Sequence, residues 1–339
     1  WAFLLGLGFL FVMLNTFFRS PRMLEWSLWL LLVLALFQGV YGILQALVPN
    51  MGVLWVNYLD NYLGDARGTW INRNHFAGFM EMMLPLLFGF SLSRVRWGAQ
   101  LKLKALLESD RIHQNCLLLL GLGIMLLALL FSKSRAGITA AFIGIGTFLF
   151  LIRSKERNLP KRFWIIIGMF LSLPLIYGLQ IGFDPIIDRY VMLEQGDSRL
   201  DFWKDSLAII SEHPLGIGLA TFRYVFPVYN VTSLSDTVTP HYLHNDVLQL
   251  LVETGWPGFA LLIGTYIVFM VGSFRRIRRM DFYVDPLKFF IAVGAFSGLV
   301  SISFHSFFDF NLQIPANAVY FVVLLAMMNV TVKDCSLSD

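Results

Sequence analysis

Charged residues are scarce in this chain. Asp, Glu, Lys and Arg make up 14% of its 339 residues, against about a quarter in soluble domains. Two cysteines suggest neither a disulfide framework nor a cysteine-based metal site. With 57% apolar residues and a mean hydropathy of +0.67, the composition excludes an ordinary soluble domain and predicts an all-α integral membrane protein.

A start resembling a signal peptide is also missing. The chain opens on Trp1, and no basic segment precedes its first apolar run. We therefore expect further membrane spans upstream of the sequence given, in numbers that the sequence does not reveal.

Long apolar runs dominate what is present. A spanning helix needs about 20 mostly apolar residues, and a backbone in lipid must bond internally, so continuous runs of this length predict helices rather than strands. The sequence contains nine such runs. The predicted spans are 1–18, 26–48, 76–93, 116–132, 136–152, 163–181, 247–274, 288–304 and 316–332.

Lysine and arginine alternate between the connections. Eighteen of the 26 lie in every second connection, most densely in 153–162 and in "RRIRR" at 275–279. The positive-inside rule places those connections in the cytoplasm, so the net charge of +4 indicates topology and membrane lipids, with no nucleic acid partner. The predicted organisation is six spans in 1–181, an outer, periplasmic loop with an amphipathic helix in 182–246, three spans in 247–332 and a cytoplasmic tail in 333–339.

The unusual polar residues gather on the outer side of this topology. Five of the six histidines lie there, and so do arginines that the positive-inside rule disfavours. We therefore predict that any chemistry occurs at the outer face. The histidines are His75, His213, His241, His244 and His305, and the arginines include Arg67, Arg73, Arg135, Arg199 and Arg223.

Some of these residues have a plain structural explanation. Asn74 suits the cap of the span that starts near Phe76, and Ser134 suits the cap of the span predicted at 136–152. Lys133 and Arg135 are explained as cations that snorkel to the membrane surface. Arginine, however, is also suited to a bidentate grip on phosphate oxygens.

Residues 198–211 predict an amphipathic helix that lies along the outer interface, capped by Asp197 or Ser198. Its predicted apolar stripe is Leu200, Trp203, Leu207 and Ile210. Arg199 stands in the first turn, where a cation opposes the helix dipole, so stability does not require it.

The segment "TPHYLHND" at 239–246 holds the strongest candidate for acid–base chemistry. Pro240 suits a helix start, and His241 and His244, spaced i and i+3, share a side if the helix already runs there. Histidine has an unperturbed pKa of about 6.5 and so suits proton transfer near neutrality. Structural hydrogen bonding is the plainer explanation for each histidine alone. A metal site with Asp246 or His213 as a third ligand is the rival, but no metal-binding motif accompanies it.

Several of these segments together resemble a known family. They are "GTWINRNHFAGF" (68–79), "SKSRAG" (132–137), "SRLDFWKDS" (198–206), "HPLGIG" (213–218) and "HNDVLQLLVETGWPG" (244–258). The chain resembles the bacterial O-antigen ligase and O-antigen polymerase superfamily over roughly residues 60–320. The resemblance implies a fold similar to the GT-C glycosyltransferases, although family ligases have about a dozen spans rather than nine.

The resemblance also implies an activity: transfer of a glycan from an undecaprenyl diphosphate carrier to an acceptor hydroxyl at the periplasmic face of the inner membrane. No metal or other cofactor is implied. His244 corresponds to the family's base, and Arg135 and Arg199 to the arginines that bind the carrier diphosphate. The acceptor would be a lipid A core or another glycan. Further candidates for substrate binding are Arg67, Arg73, Asn74, His75 and His241, with His305 and Asp309 as weaker additions.

Two other functions remain open on the sequence. A transporter of a small anion or solute would use Glu81, an acid inside a span and followed by Pro85, but a charged or broken-helix site at mid-membrane is otherwise not signalled. A non-catalytic scaffold would leave the outer arginines unexplained. Glu253, on the helix after His244, could simply orient its neighbours.

Overall fold

The computed structural model describes residues 2–48, 50–54, 63–95, 110–156, 163–164, 167–168, 176, 198–231 and 240–333. Within these ranges the chain is helical and contains no strand. The first five helices are α1 (Ala2–Phe17), α2 (Pro21–Leu47), α3 (Arg73–Ser93), α4 (Asp110–Phe131) and α5 (Arg135–Lys155). They are followed by α6 (Ser198–Glu212), α7 (Phe222–Val225), α8 (Asp246–Ile277), α9 (Pro286–His305) and α10 (Pro315–Lys333), with short 3₁₀ turns at Phe226–Val228 and Asn311–Gln313.

Among the described helices, six are long and apolar enough to cross a membrane, namely α2, α3, α5, α8, α9 and α10. Two shorter apolar helices, Ala2–Phe17 and Leu117–Phe131, coincide with the first and fourth predicted spans. The sixth predicted span, 163–181, falls almost wholly outside the described residues. The all-helical membrane class is therefore confirmed, whereas nine spans and a GT-C fold stay predictions.

Helix α3 is the buried centre of the bundle. Nearly all of its residues are buried, and it packs along α9 and also against α4 and α5. The approach to α9 is close because small residues line it: a Cβ added at Gly294 or Gly298 would meet the α3 backbone at Pro85 or Met82. Outside this centre, α1 packs on α10 and α2 packs on α4.

Helix α8 bends where its sequence reads "TGWPG". Gly255 has φ +65°, which is outside the helical region, and Pro257 follows it. The bend leaves the carbonyls of Val252 and Glu253 open to other donors, and the amides of Ile217 and Gly218 bond to them at 3.1 and 2.9 Å. The turn "HPLGIG" is thereby fixed to the N-terminal part of α8.

Glu253 completes the same junction. Its carboxylate accepts a hydrogen bond from the Ala220 amide at 2.9 Å and another from the Gln249 side chain at 3.1 Å. The expectation that Glu253 orients its neighbours therefore agrees with its contacts.

Candidate active site

Five helix ends meet at one end of the bundle: the starts of α3, α5, α8 and α10 and the finish of α9. Three contacts between distant segments join the ends of α3, α8, α9 and α10. The Asn74 side chain donates to Asp309, the Asn317 side chain donates to the carbonyl of His75 at 2.9 Å, and the Asp246 amide donates to the carbonyl of Ser306 at 2.8 Å. The polar segments that the sequence places on the outer side are thus neighbours.

Helix α8 begins later than the two histidines before it. Asn245 is its N-cap, with Oδ1 accepting a hydrogen bond from the Leu248 amide at 2.9 Å, and Asp246 is its first residue. His241 and His244 therefore precede the helix, so the condition under which they would share one helical face is not met. His241 is exposed, whereas His244 has φ +53°, a left-handed conformation that is uncommon outside glycine.

The connection after α9 supplies the partner of His244. The Nδ1 atom of His244 lies 3.2 Å from Oδ1 of Asp309, whose side chain is 1% exposed. Two further donors complete the carboxylate: the Asn74 Nδ2 at 2.6 Å and the backbone amide of Phe310 at 2.8 Å. Asp309 is therefore the centre to which α3 and the segment before α8 are both bonded.

Electrostatics keep this carboxylate ionised. Burial by itself would raise the pKa of Asp309, but the hydrogen bond from His244, together with the charges of His75 and Arg199, holds the pKa below its ordinary value. Because an ionised carboxylate only accepts hydrogen bonds, we assign the Nδ1 proton of His244 to this contact. The Nε2 atom is then the acceptor, as a general base requires.

An aromatic platform fixes the imidazole rings. His244 and His75 both stand edge-on to Phe310, with ring centroids 4.7 and 4.6 Å away, and Tyr242 stacks on the same ring at 4.4 Å. The His244 side chain keeps 28% exposure, while His75 is buried. Of the two rings on this platform, His244 is the one open to a reactant.

Asp246 holds the platform in place. Its Oδ2 accepts hydrogen bonds from the Ser306 hydroxyl at 3.1 Å and from the Leu312 amide at 2.9 Å. These contacts join the first turn of α8 to both ends of the connection that carries Asp309. Asp246 is thus occupied in positioning this connection.

Arg199 reaches the same connection from α6. Its Nη1 donates to the carbonyl of Phe308 at 2.7 Å, and the Trp203 indole, one turn further along, donates to the carbonyl of Leu243 at 3.0 Å. Arg199 and His244 are therefore brought together, each bonded to the segment 308–310.

The packed face of α6 differs from the predicted stripe. Asp205, Ser206 and Ile209 are buried, whereas Leu200 and Leu207 are 52% and 59% exposed. The i, i+3, i+7 pattern predicts one apolar face, but the helix carries two: one packs against Phe222, Phe226 and Leu243, and one remains apolar and open. The helix itself, Ser198–Glu212, is confirmed; Asp197 lies outside the described residues.

Arg135 stands at the first residue of α5. Ser134 caps the helix as predicted, accepting a hydrogen bond from the Gly137 amide at 3.3 Å. The same turn lies against α3, because a Cβ added at Gly137 would meet Ala77 and Glu81. The first turn of α5 thus lies beside α3, whereas a meeting of Arg135 with His244 stays a prediction.

The remaining predicted site residues have structural partners. Arg73 is ion-paired with Asp65, which also lies 2.9 Å from Lys133 Nζ. Arg67 is fully buried, and its backbone amide donates to the Gln45 side chain at 3.3 Å. The cap of α3 is Asn72, not Asn74, so the side chain of Asn74 is available for Asp309.

A second imidazole–carboxyl pair lies deeper. His305 Nδ1 is 3.0 Å from Oε2 of Glu81, and both side chains are 0% exposed. The pair joins α9 to α3. It lies one turn below the platform, since the carbonyl of His305 accepts hydrogen bonds from the Phe308 and Asp309 amides at 2.8 and 3.1 Å. Glu81, the residue that a transporter would use, is occupied by this contact.

Asp309 is the residue that sequence reasoning undervalued. Its connection, 305–315, contains no lysine or arginine, so a carboxylate there needs partners from elsewhere in the fold. The absence of a nearby cation is thus a signal that the sequence contains. The pairing of Asp309 with His244, 65 positions away, and with Asn74, 235 positions away, cannot be read from the sequence.

Within the described ranges, no three side chains of His, Cys, Asp or Glu are placed to hold a metal ion together. Independence from metal stays a prediction.

Comparison with known proteins gives one finding. Residues 120–263 match a family described as O-antigen ligase. The predicted resemblance to the O-antigen ligase and polymerase superfamily is thereby confirmed. The matched segment contains Arg135, Arg199 and His244 but neither Asn74 nor Asp309, so the site extends beyond it. No curated protein matches the chain.

Proposed function

We propose that the protein transfers a glycan from an undecaprenyl diphosphate carrier to an acceptor hydroxyl, at the periplasmic face of the bacterial inner membrane. One observation carries the proposal: a partly exposed imidazole is fixed through Nδ1 by a buried carboxylate, with a guanidinium bonded to the same connection. This combines a base with a binding group for phosphate. The family match supports glycan transfer of the ligase or polymerase type.

His244 acts as the general base in this scheme. Its Nε2 takes the proton of the acceptor hydroxyl while the hydroxyl oxygen attacks the anomeric carbon, and the bond from that carbon to the diphosphate oxygen breaks. The electron pair leaves with the diphosphate, and a single displacement of this kind inverts the anomeric carbon. General-base assistance accelerates such a step by about 10² to 10⁴.

Arg199 and Arg135 neutralise the leaving diphosphate. A guanidinium presents five N–H donors in a planar fork, and that of Arg199 lies at the connection that carries Asp309, where Nη1 donates to the carbonyl of Phe308. Arg135 lies at the N-terminus of α5, where the helix dipole also favours an anion. Neutralising the charge that develops on a leaving group contributes about 10² to 10³ in rate per donor, which is how the reaction would proceed without a metal.

The exposed apolar face of α6 suits the lipid part of the donor. Leu200 and Leu207 lie on the same helix as Arg199, so an isoprenoid chain resting on them would extend from a diphosphate held by Arg199. His241 is exposed before α8, and its contact with a substrate remains a prediction. Substrate contacts by Arg67, Arg73, Asn74 and His75 remain predictions.

The decisive experiment compares two histidine substitutions in proteoliposomes supplied with a lipid-linked glycan and an acceptor. His244→Asn removes the base, and asparagine tolerates the left-handed backbone at this position better than alanine does. We expect turnover to fall at least 100-fold with the thermal midpoint preserved. His213→Asn, an exposed histidine beside Tyr229, is the matched control and should transfer normally. Near-normal turnover by the His244 variant would remove the base assignment.

Ligase and polymerase differ in the acceptor alone. Mass spectrometry of envelope glycans from a strain lacking the protein separates them. Long glycan chains that are not attached to the lipid A core indicate a ligase, whereas single repeat units on the core indicate a polymerase.

A further inference from the structure

A cavity lies at the other end of the bundle from the candidate active site. Its volume is about 670 Å³, and it is surrounded by the end of α1, the start of α2, the end of α8, the start of α9 and the end of α10. In the predicted topology this is the cytoplasmic end. None of the residues placed in the transfer site lines it.

The charge around this cavity is one-sided. Arg19, Arg276, Lys288 and Lys333 line it, against one carboxylate, Asp285. Lys288 Nζ lies 3.6 Å from Asp285 Oδ2, so this pair is internally compensated. Arg19, Arg276 and Lys333 are exposed and add positive charge to the same lining, and an anion at the cavity would reduce the repulsion between these like charges.

Helix dipoles account for only part of this cluster. Arg276 and Lys333 stand in the last turns of α8 and α10, where a cation offsets the negative helix end. Arg19 lies between α1 and α2, in no helix, so the positive-inside rule accounts for its side of the membrane but not for its place at this cavity. Neither rule specifies that Arg19, Arg276 and Lys333 converge on one cavity.

The start of α2 adds a second feature. Ser20 is the N-cap of α2 but makes no side-chain cap, so the first-turn amides lack a side-chain acceptor, and Pro21 and Leu24 of that turn line the cavity. The start of α9, on the same cavity, is capped by Asp285, which accepts from the Lys288 amide at 3.1 Å. An open helix N-terminus among cations is the arrangement that phosphate groups prefer.

The surroundings favour a lipid over a free ion. Phe18 and Leu24 form part of the cavity wall and are 3% and 2% exposed, so the phosphate region borders apolar packing. Along α1, which leads away from the cavity, Phe9 and Val12 are 68% and 63% exposed, as expected for a helix that faces acyl chains. A phosphate group with an attached acyl tail matches both the cationic lining of the cavity and the exposed apolar face of α1.

We propose that this cavity binds the phosphate headgroup of an anionic membrane lipid, with the acyl chains along α1. Basic pockets between helices at the cytoplasmic side of a membrane bind such headgroups. The site is separate from the transfer chemistry, so it stands whether or not the protein transfers glycans.

Native mass spectrometry of the whole chain tests this. The purified protein is titrated with phosphatidylglycerol, with phosphatidylcholine and with inorganic phosphate. Arg19→Gln combined with Arg276→Gln should weaken binding of phosphatidylglycerol at least tenfold. Arg278→Gln combined with Arg279→Gln is the matched control, because it removes the same charge from the same membrane end at exposed residues outside the cavity lining. Replacing Arg19 and Arg276 by lysine should retain most of the affinity.

Three results overturn the proposal. Equal losses in the cavity pair and the control pair would mean general surface attraction. Equal affinity for phosphatidylcholine would remove the role of net negative charge. Displacement of phosphatidylglycerol by millimolar inorganic phosphate would assign the cavity to a free anion instead of a lipid.

Discussion

Two imidazole–carboxyl pairs meet near the end of α9, since Asp309 belongs to one pair and His305, about one helical turn earlier, to the other. The surroundings of the two pairs differ. His244 and Asp309 meet at the mouth of the bundle, where the imidazole keeps 28% exposure. His305 and Glu81 meet inside it, where neither side chain is exposed. The same two functional groups are therefore open to a reactant in one region and closed in the other.

This difference assigns different roles to the two pairs. A base must reach the proton that it removes, which the exposed pair can do and the enclosed pair cannot. The enclosed pair instead joins α3 to α9, and the His305 carbonyl bonds the amides of Phe308 and Asp309. The deeper pair thus positions the carboxylate of the outer pair.

Breaking the pair of His305 and Glu81 should have the largest effect, which is a loss of stability. Glu81→Leu leaves a buried imidazole without its partner, which costs about 3–5 kcal/mol when such a pair loses one member. Glu81→Gln keeps an acceptor in place and should cost less. Thermal unfolding in detergent measures both. Equal midpoints for wild type and the leucine variant would deny the pair its anchoring role.

Removing the guanidinium of Arg199 should have the next largest effect, which is on the rate of transfer. Arg199→Gln is expected to reduce turnover by about 10² to 10³, because the developing diphosphate charge loses its donor. Arg199→Lys keeps the charge but loses the planar fork, so a loss of about tenfold is expected. Initial rates in proteoliposomes give both values. Unchanged turnover in the lysine variant would exclude bidentate binding of phosphate.

The outer carboxylate should show a pH signature of smaller size. The pKa of Asp309 lies below its ordinary value of about 3.9, so the stability from its ionised form is fully present above that pH and is lost as the pH falls further. A hydrogen bond to a charged group contributes about 1.5–3 kcal/mol. The difference in thermal midpoint between wild type and Asp309→Asn should persist from pH 8 to 5 and shrink below pH 4. A difference that disappears already between pH 7 and 5 would contradict the ionised state.

Local rules predicted much of the fold. Apolar length located eight of the nine predicted spans on described helices, and small polar residues located starts such as Ser134 before α5. Turns were less predictable. Asn72 and Asn74 are equally good caps on sequence, and tertiary contact with Asp309 decided which one serves.

The sequence singled out residues of the proposed site but not their arrangement. His244 and Arg199 stood out because each opposes a local preference, a polar group at a membrane helix or a cation in a first turn. Their shared partner did not, because the 308–310 connection becomes a meeting point only after α3, α6 and α8 have packed around it. Likewise, the exposure of Leu200 and Leu207 depends on which face of α6 packs against Phe222, Phe226 and Leu243.

A double-mutant cycle on turnover tests the central claim, that His244 and Asp309 act as one catalytic unit. Transfer rates are measured for His244→Asn, Asp309→Asn and the two combined, with thermal midpoints to confirm folding. Because residues that act together are non-additive, the double variant should be no slower than His244→Asn alone. Two losses that multiply in the double variant would mean that Asp309 acts on something other than His244, and the account would fail.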